Sequence, residues 1–222
     1  MVELAMLGKT GLRVSRLGAG LNEIGRQLTS NDVAQAGLVL NTALDAGINF
    51  LDTAACYGIS EEMIGETISH RRQEYILATK VGHVTGGYRG APWTAQTIRD
   101  SIDRSLKLMQ TDYLDLLQIH AYDLKGPARE DVIEAVLSAK RAGKTRFVGY
   151  SQENEEAEWA VESGLFDTLQ TAFSLVDQKA RYGLLKRAKT KAMGTIIKRP
   201  IANAVWGQVV ASGGSSTDLV TE

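Results

Sequence analysis

Residues 47–68 read GINFLDTAACYGISEEMIGETI, a stretch that joins a short apolar segment to a polar turn and the start of an amphipathic segment. The apolar segment NFL ends at Asp52, and Tyr57 follows in the turn. In barrel enzymes, polar residues at the carboxyl ends of buried strands carry the chemistry. The stretch therefore predicts one strand–helix unit with a functional group at the end of its strand.

The same pattern recurs along the chain. Other compact apolar segments predict six more strands: SRLGAGL (weaker), YILATKV, YLDLLQIH, TRFVGYS, TLQTAF and GTIIKRP. Helical spacing of apolar residues predicts helices at 31–46, 61–69, 95–109, 130–142, 153–163 and 179–192. Strands that alternate with helices indicate βαβ units and a parallel sheet. A short hairpin is expected before the first unit.

Several helix boundaries have local signals. Thr94 can cap the helix that follows it, because its hydroxyl can accept a hydrogen bond from a free backbone amide of the first turn. Glycine in AGI (46–48), AGK (142–144) and KAMG (191–194) stands where helices commonly end before a strand.

The positions of polar residues favour a barrel over a doubly wound sheet. No GxGxxG motif follows the first strand, and the nearest match, GAGLNEIG at 18–25, has the wrong spacing. Asp52, Lys80, His120 and Ser151 each end a different predicted strand, so they would converge on one end of a barrel. We predict an α/β fold, a (β/α)₈ TIM-type barrel with an N-terminal β-hairpin, in one domain over residues 1–222.

Seven strands are visible in this sequence, and the eighth is expected to be missing or disordered. After GTIIKRP the sequence continues for a short segment that ends SGGSSTDLVTE. Disordered residues, truncation, and a strand supplied by a partner are the alternatives, of which we favour missing or disordered residues. On this interpretation the domain is C-terminally incomplete.

Composition narrows the possible partners. Hydrophobic residues make up 44% and charged residues 23%, with a net charge of -1, so no basic surface for nucleic acid or an anionic membrane is expected. No run of about 18 apolar residues predicts a transmembrane helix, and the N-terminus does not resemble a signal peptide. The single cysteine, Cys56, suits a reducing compartment, so we predict a cytoplasmic location.

Motifs in a fixed order connect the chain to a known family. D-x-x-x-x-Y-G at 52–58 is followed by T-K at 79–80 and Q-I-H at 118–120. Together with LGKTGLRVSRLGAG, VGYS, FDTLQTAFSLVDQ and KRPIANAVWG, this pattern resembles the aldo-keto reductase family over nearly the whole chain. The resemblance implies a barrel, an NADP(H) cofactor or sometimes NAD(H), and reversible carbonyl–alcohol chemistry on a small molecule.

A physical argument assigns roles to the predicted catalytic residues. Reduction of a carbonyl by hydride needs an acid, and Tyr57 can serve if the ammonium of Lys80 lowers the pKa of its phenol. Asp52 can hold Lys80 as an ion pair, and His120 can donate a hydrogen bond to the carbonyl oxygen. The alternative interpretation is structural: a buried ion pair, an ordinary histidine and an aromatic at the rim.

The resemblance also implies a set of cofactor-binding residues. In the family, a Ser–Asn pair and a Gln hold the nicotinamide carboxamide; Ser151 and Gln170 match, but Gln152 replaces the Asn. Basic residues stand where many members have a stacking aromatic, and they could stack on the ring or meet the pyrophosphate. The complete predicted set is Leu21, Asn22, Asp52, Ser151, Gln152, Gln170, Lys198, Arg199, Pro200 and Ile201, and no metal ligand is predicted.

Other residues and other functions are consistent with parts of this sequence. We interpret Cys56 as a small packed residue rather than a nucleophile, because neither a helix start nor a histidine partner is evident for it, and His83 has no supporting context. Tyr88 and Trp93 can line an apolar pocket or lie at the rim. A cofactor-binding regulatory or catalytically impaired protein is the alternative function, although His120 favours catalysis. A barrel isomerase or lyase would need a metal cluster or phosphate loop, and neither motif is present.

Overall fold

The computed structural model describes residues 2–121 and 129–202. Strand β1 (Leu4–Met6) pairs antiparallel with β2 (Arg13–Ser15), and a short 3₁₀ turn (Gly8–Thr10) joins them. This is the predicted N-terminal hairpin. Its apolar side chains Leu7, Leu12 and Val14 pack against the main sheet.

Seven parallel strands form the main sheet in sequence order. They are β3 (Ala19–Gly20), β4 (Phe50–Asp52), β5 (Ile76–Val81), β6 (Leu114–His120), β7 (Thr145–Ser151), β8 (Thr168–Ala172) and β9 (Gly194–Lys198). The helices are α1 (Asn22–Gln27), α2 (Val33–Asp45), α3 (Ser60–Ile68), α4 (Ala95–Leu108), α5 (Arg129–Arg141), α6 (Asn154–Ser163) and α7 (Leu184–Thr190). This repeated strand–helix order, together with the structural relatives described below, confirms the predicted barrel-type α/β fold.

Alternation along each strand divides the apolar residues between two cores. One face of the sheet packs against the helices in a large cluster that includes Leu51, Leu77 and Leu117. The other face carries Phe50, Ala78 and Leu116 near the strand starts, and the hairpin covers these residues. The chain therefore seals the N-terminal end of the sheet's inner face and leaves its C-terminal end for polar side chains.

The structure corrects two predicted boundaries. The helix expected over 179–192 is a 3₁₀ turn (Lys179–Arg181) followed by α7, because Gly183 between them has a φ of 120° that no helix allows. In KAMG, Ala192 takes the left-handed conformation with a φ of 52°, while Gly194 begins β9. Gly194 is needed for space, since a Cβ there would lie 2.8 Å from the Leu7 side chain.

Other boundaries agree with their signals. The hydroxyl of Thr94 accepts a hydrogen bond of 3.2 Å from the backbone amide of Thr97 at the start of α4. Gly47 and Gly143 follow α2 and α5 with φ values of 87° and 74°. Helix α1 was not predicted.

Some predictions concern residues outside the described part of the chain. Residues 203–222, which bear on the predicted eighth strand and contain the Ser- and Gly-rich tail, are not among those described. That a single domain spans residues 1–222 therefore stays a prediction. Within the described residues, none of the helices combines the length and apolar character needed to span a bilayer.

Candidate active site

The polar residues of the inner face collect at the carboxyl ends of the strands. Asp52 ends β4, Lys80 lies near the end of β5, and Gln118 and His120 lie on β6. The register pairs Lys80 with Gln118 and His120 with the last residue of β7, Ser151. Because side chains alternate along a strand, these residues share one face of the sheet with the apolar residues at its start.

Asp52 is the centre of a buried hydrogen-bond cluster. Its carboxylate accepts bonds from Lys80 Nζ at 2.7 Å, Gln118 Nε2 at 3.0 Å and Gln170 Nε2 at 3.0 Å. Lys80 Nζ also donates to the Thr53 carbonyl at 2.8 Å. Strands β5, β6 and β8 thus each contribute one donor to the Asp52 carboxylate, and this carboxylate orients the buried ammonium of Lys80. The Asp52–Lys80 ion pair has the geometry that the sequence predicted.

The loop after β4 places Tyr57 beside this cluster. Helix α1 packs so closely against the loop that a Cβ on Gly25 would lie 1.7 Å from the Tyr57 carbonyl oxygen. Gly58 has a φ of 50°, which glycine adopts without strain, and a Cβ there would lie 2.1 Å from the Gly25 carbonyl. The two glycines therefore fix the backbone on either side of the contact and hold Tyr57 at the strand end.

Tyr57 lies between a cation and a histidine. Lys80 Nζ is 4.9 Å from the centre of the Tyr57 ring, and the rings of Tyr57 and His120 meet edge to face at 5.8 Å. Burial raises the pKa of Tyr57, while the charge of Lys80 opposes this shift. Lys80 acts in the predicted direction, but burial outweighs it, so the net shift of the Tyr57 pKa is upward.

His120 is held in its neutral form. Burial, followed by the charge of Lys80, lowers the pKa of His120 to about 3. Its Nδ1 lies 3.4 Å from Cys56 Sγ, within hydrogen-bond distance for sulfur. Cys56 therefore has a histidine partner that the sequence did not indicate, because the β4–α3 loop turns its thiol toward the end of β6.

Two residues near this group were missed in the sequence. Gln118 lies two residues before His120 on the same strand, so alternation already indicated a shared face. His83 follows β5, and its ring is 5.1 Å from the His120 ring and 5.0 Å from the Trp93 ring. Nothing in the local pattern around His83 indicated this position, because the loop after β5 determines it.

Comparison with known proteins identifies the family. The Aldo/keto reductase family model matches residues 16–207. L-galactose dehydrogenase of Arabidopsis thaliana is 36% identical over 157 residues, which are 67% of this chain and 48% of that protein. The 6-dehydroglucose reductase of Novosphingobium aromaticivorans is 33% identical over 74% of this chain and 56% of its own length. The chain thus spans about half the length of these two curated relatives.

Solved structures agree with the sequence comparison. The holo form of an aldo-keto reductase from Bacillus halodurans superposes with a TM-score of 0.83 at 28% identity, covering 97% of this chain and 72% of that one.

The chain belongs to the aldo-keto reductase family.

The cofactor-binding residues predicted from this family lie in different surroundings. Leu21 is buried, and its backbone amide donates to the Asp52 carbonyl at 2.9 Å. The Ser151 hydroxyl donates to Gln170 Oε1 at 2.7 Å, which connects Ser151 to the Asp52 cluster. The side chain of Gln152 instead accepts, through Oε1, from the backbone amide of the next residue at 3.1 Å, while its backbone amide donates to the Gln170 carbonyl at 3.1 Å.

The two basic residues at the end of β9, Lys198 and Arg199, lie near the same carboxylate. Lys198 ends β9, half-buried, and pairs with Glu153 Oε1 at 2.9 Å; burial lowers its pKa, and the charge of Glu153 opposes this shift. Arg199 lies 3.5 Å from the same carboxylate oxygen. Pro200 and Ile201 are exposed. Sequence reasoning missed Glu153, which partly neutralises the cations proposed for the cofactor.

The two aromatics of the loop after β5 have different positions. The Tyr88 hydroxyl donates to Asp100 on α4 at 2.5 Å, which ties it to the outer helix layer. Trp93 packs over Gly82, where a Cβ would lie 1.8 Å from the indole, and its ring contacts His83. Of the two, Trp93 is the one next to the group around His120.

Proposed function

We propose that this chain carries the site of an NAD(P)H-dependent oxidoreductase that reduces an aldehyde or ketone to an alcohol. The observation that supports it most is the meeting of a neutral tyrosine, a buried ammonium and a neutral histidine at one strand end. Lys80 Nζ is 4.9 Å and the His120 ring 5.8 Å from the Tyr57 ring. The family relatives named as a dehydrogenase and a reductase support reversible carbonyl–alcohol chemistry.

Each residue has a task that its surroundings suit. Tyr57 is protonated at neutral pH, and its proton passes to the carbonyl oxygen as that oxygen gains negative charge. Burial makes the phenol a weaker acid, and the charge of Lys80 opposes this shift in its pKa. The ammonium of Lys80 stabilises the phenolate that remains. Asp52 holds Lys80 in place through a 2.7 Å ion pair. His120 is neutral, so it can donate one hydrogen bond to the carbonyl oxygen without adding a charge.

The described residues fit a nicotinamide cofactor in their donors and acceptors. Asn22 Oδ1 and Gln118 Oε1 are buried and have no hydrogen-bond partner among residues 2–121 and 129–202. A carboxamide group brings two N–H donors, which would satisfy such acceptors. Lys198 and Arg199 would attract the pyrophosphate. When bound, the cofactor would supply the hydride; NADP(H) is proposed from the family, with NAD(H) as the second possibility.

The test is a comparison of Tyr57→Phe with the wild type. Without the phenolic proton, turnover of a generic aldehyde with NADPH should fall by about 100- to 10,000-fold. NADPH binding, followed by quenching of tryptophan fluorescence, should be retained. Tyr182→Phe is the matched control, since Tyr182 is 79% exposed and lies outside the site.

Two outcomes would contradict the proposal. Equal turnover in Tyr57→Phe and wild type would remove Tyr57 as the acid. NADPH binding by wild type without turnover of any aldehyde or ketone would favour the cofactor-binding regulatory or catalytically impaired alternative. We also propose a small carbonyl compound as the partner molecule and a cytoplasmic location, on the basis of the family and the single Cys56.

A further inference from the structure

The contact between Cys56 and His120 connects two elements of the site. Cys56 lies on the loop after β4, directly before Tyr57, and His120 ends β6. The 3.4 Å between Cys56 Sγ and His120 Nδ1 is the one hydrogen bond to the His120 ring within residues 2–121 and 129–202. The neighbouring rings of Tyr57 and His83 meet His120 edge to face, which orients the ring plane but leaves its proton undetermined.

The hydrogen bond at Nδ1 determines where a neutral imidazole carries its proton. A neutral histidine has one N–H and one acceptor nitrogen, and the partner of one nitrogen selects the state of the other. Burial raises the pKa of the Cys56 thiol, so the sulfur keeps its proton. The charges of Lys80 and Lys198 oppose protonation of His120 further.

The direction of this bond follows from the chemistry of sulfur. A protonated thiol offers one S–H donor, whereas its sulfur is a weak acceptor; an imidazole nitrogen lone pair is a good acceptor. The favoured arrangement is S–H donating to Nδ1, which leaves the single ring proton on Nε2. An N–H on Nε2 is the donor that a carbonyl oxygen requires.

We propose that Cys56 is a positioning residue that holds His120 in the tautomer with its proton on Nε2, ready to donate to the substrate oxygen. The role in reduction rests on the proposed function, but the tautomer itself does not. In this arrangement, loss of the S–H donor releases Nδ1 to take the proton in part of the molecules. That fraction presents a lone pair to the substrate oxygen, and it turns over poorly.

Three variants separate the hydrogen bond from packing. Cys56→Ser keeps a donor at nearly the same place, Cys56→Val keeps approximately the volume but removes the donor, and Cys56→Ala removes both. The first measurement is the ¹⁵N chemical shifts of His120 Nδ1 and Nε2 in the full chain, which report the tautomer directly. Wild type and Cys56→Ser should carry the proton on Nε2, while Cys56→Val and Cys56→Ala should show both tautomers.

The second measurement is steady-state reduction of an aldehyde with NADPH. Losing a single hydrogen bond should lower kcat by about 5- to 10-fold in Cys56→Val, with Cys56→Ser within about threefold of wild type. A lowered kcat in Cys56→Ser with a normal Cys56→Val would overturn the proposal, since packing would then be the cause. So would a His120 that carries its proton on Nδ1 in the wild type.

The two readouts also distinguish this proposal from the proposed function. If the wild type turns over no carbonyl compound but the ¹⁵N shifts change as expected, the reductase proposal fails and the tautomer proposal stands. If turnover is normal and the shifts are identical in wild type and Cys56→Val, the tautomer proposal fails alone.

Discussion

The sheet holds two buried ion clusters, one at each end. At the carboxyl end, Asp52 accepts from Lys80 and from two glutamine amides. At the amino end, Asp115 near the start of β6 accepts from Arg72 at 2.8 Å, from Arg146 at 2.7 Å and from the Leu77 backbone amide at 2.9 Å. Both carboxylates thus receive three donors.

The clusters differ in what surrounds them. Arg72 has further acceptors in the Tyr75 and Tyr113 carbonyl oxygens, and its guanidinium lies 4.2 Å from the centre of the Tyr113 ring. The side chain of Asp115 is 1% exposed, whereas that of Asp52 is 16% exposed. At the amino end the carboxylate is buried and one of its partners, Arg146, is half exposed. The carboxyl-end cluster adjoins Tyr57 and includes Gln118 Oε1, which has no hydrogen-bond partner among the described residues. A buried ion pair alone therefore does not identify a functional site. What identifies one is a position at the carboxyl ends of the strands, together with neighbouring polar atoms that lack a hydrogen-bond partner.

Removing the charge of Asp115 should have the largest effect on folding. Asp115→Asn leaves the buried guanidinium of Arg72 and the half-exposed guanidinium of Arg146 facing a neutral amide, so the free energy of unfolding should fall by about 3–5 kcal/mol. Urea denaturation measures it. Turnover of the molecules that remain folded should be retained, because the cluster lies at the end of the sheet opposite the site.

Glu134→Gln is the control for this prediction. It removes an ion pair with Arg141 in which both side chains are more than half exposed, and it should cost less than about 1 kcal/mol. A loss for Asp115→Asn as small as that of Glu134→Gln would mean that the amino-end cluster does not stabilise the fold.

Strand ends were the part of this molecule that sequence could predict. Asp52, Lys80, His120 and Ser151 follow apolar runs, and parallel strands bring their carboxyl ends to one edge, so convergence followed from the pattern alone. The acid inside YLDLLQIH, Asp115, was also visible as a charge in an apolar strand. The partners of Asp115 could not be predicted, because Arg72 reaches it from a 3₁₀ segment (Ser69–Glu74) and Arg146 from the neighbouring strand β7.

Contacts that depend on loop geometry could not be predicted. The position of His83 depends on the loop that ends at Trp93, and the approach of Cys56 to His120 depends on the turn around Gly58. The net direction of the Tyr57 pKa shift required its burial to be known, since burial and the charge of Lys80 act in opposite directions. A sequence motif specifies neither the geometry of a loop nor the burial of a side chain.

Lys80→Met should lower turnover strongly and stability only a little, the opposite of what is expected for Asp115→Asn. Without the ammonium, the Tyr57 phenolate is no longer stabilised, so turnover should fall at least about 100-fold. The free energy of unfolding should change by no more than about 2 kcal/mol, because Asp52 keeps two amide donors and burying the ammonium was itself costly. Lys140→Met, which removes a 2.6 Å ion pair with Asp167 away from the site, should keep normal turnover.

An unfolding loss in Lys80→Met as large as that in Asp115→Asn would make the two clusters equivalent and both structural. Equal turnover in Lys80→Met and wild type would exclude Lys80 from the chemistry.

Lowering the pH should reduce the free energy of unfolding through His120, at the carboxyl ends of the strands. Its folded pKa of about 3 lies below the value of 6.5 for a free histidine, so the unfolded chain binds the extra proton first as pH falls. His120 therefore contributes a loss of stability that begins near pH 6.5 and grows toward pH 3, by at most about 1.4 kcal/mol per pH unit. His120→Gln removes this contribution, so wild type should lose stability relative to the variant as pH falls from 7 to 4.

Denaturation midpoints at each pH measure the difference, and His70→Gln, at an exposed histidine, is the matched control. A difference between wild type and His120→Gln that stays constant with pH would mean that His120 is open to solvent, and the site would then lack the neutral donor that the proposed reduction requires.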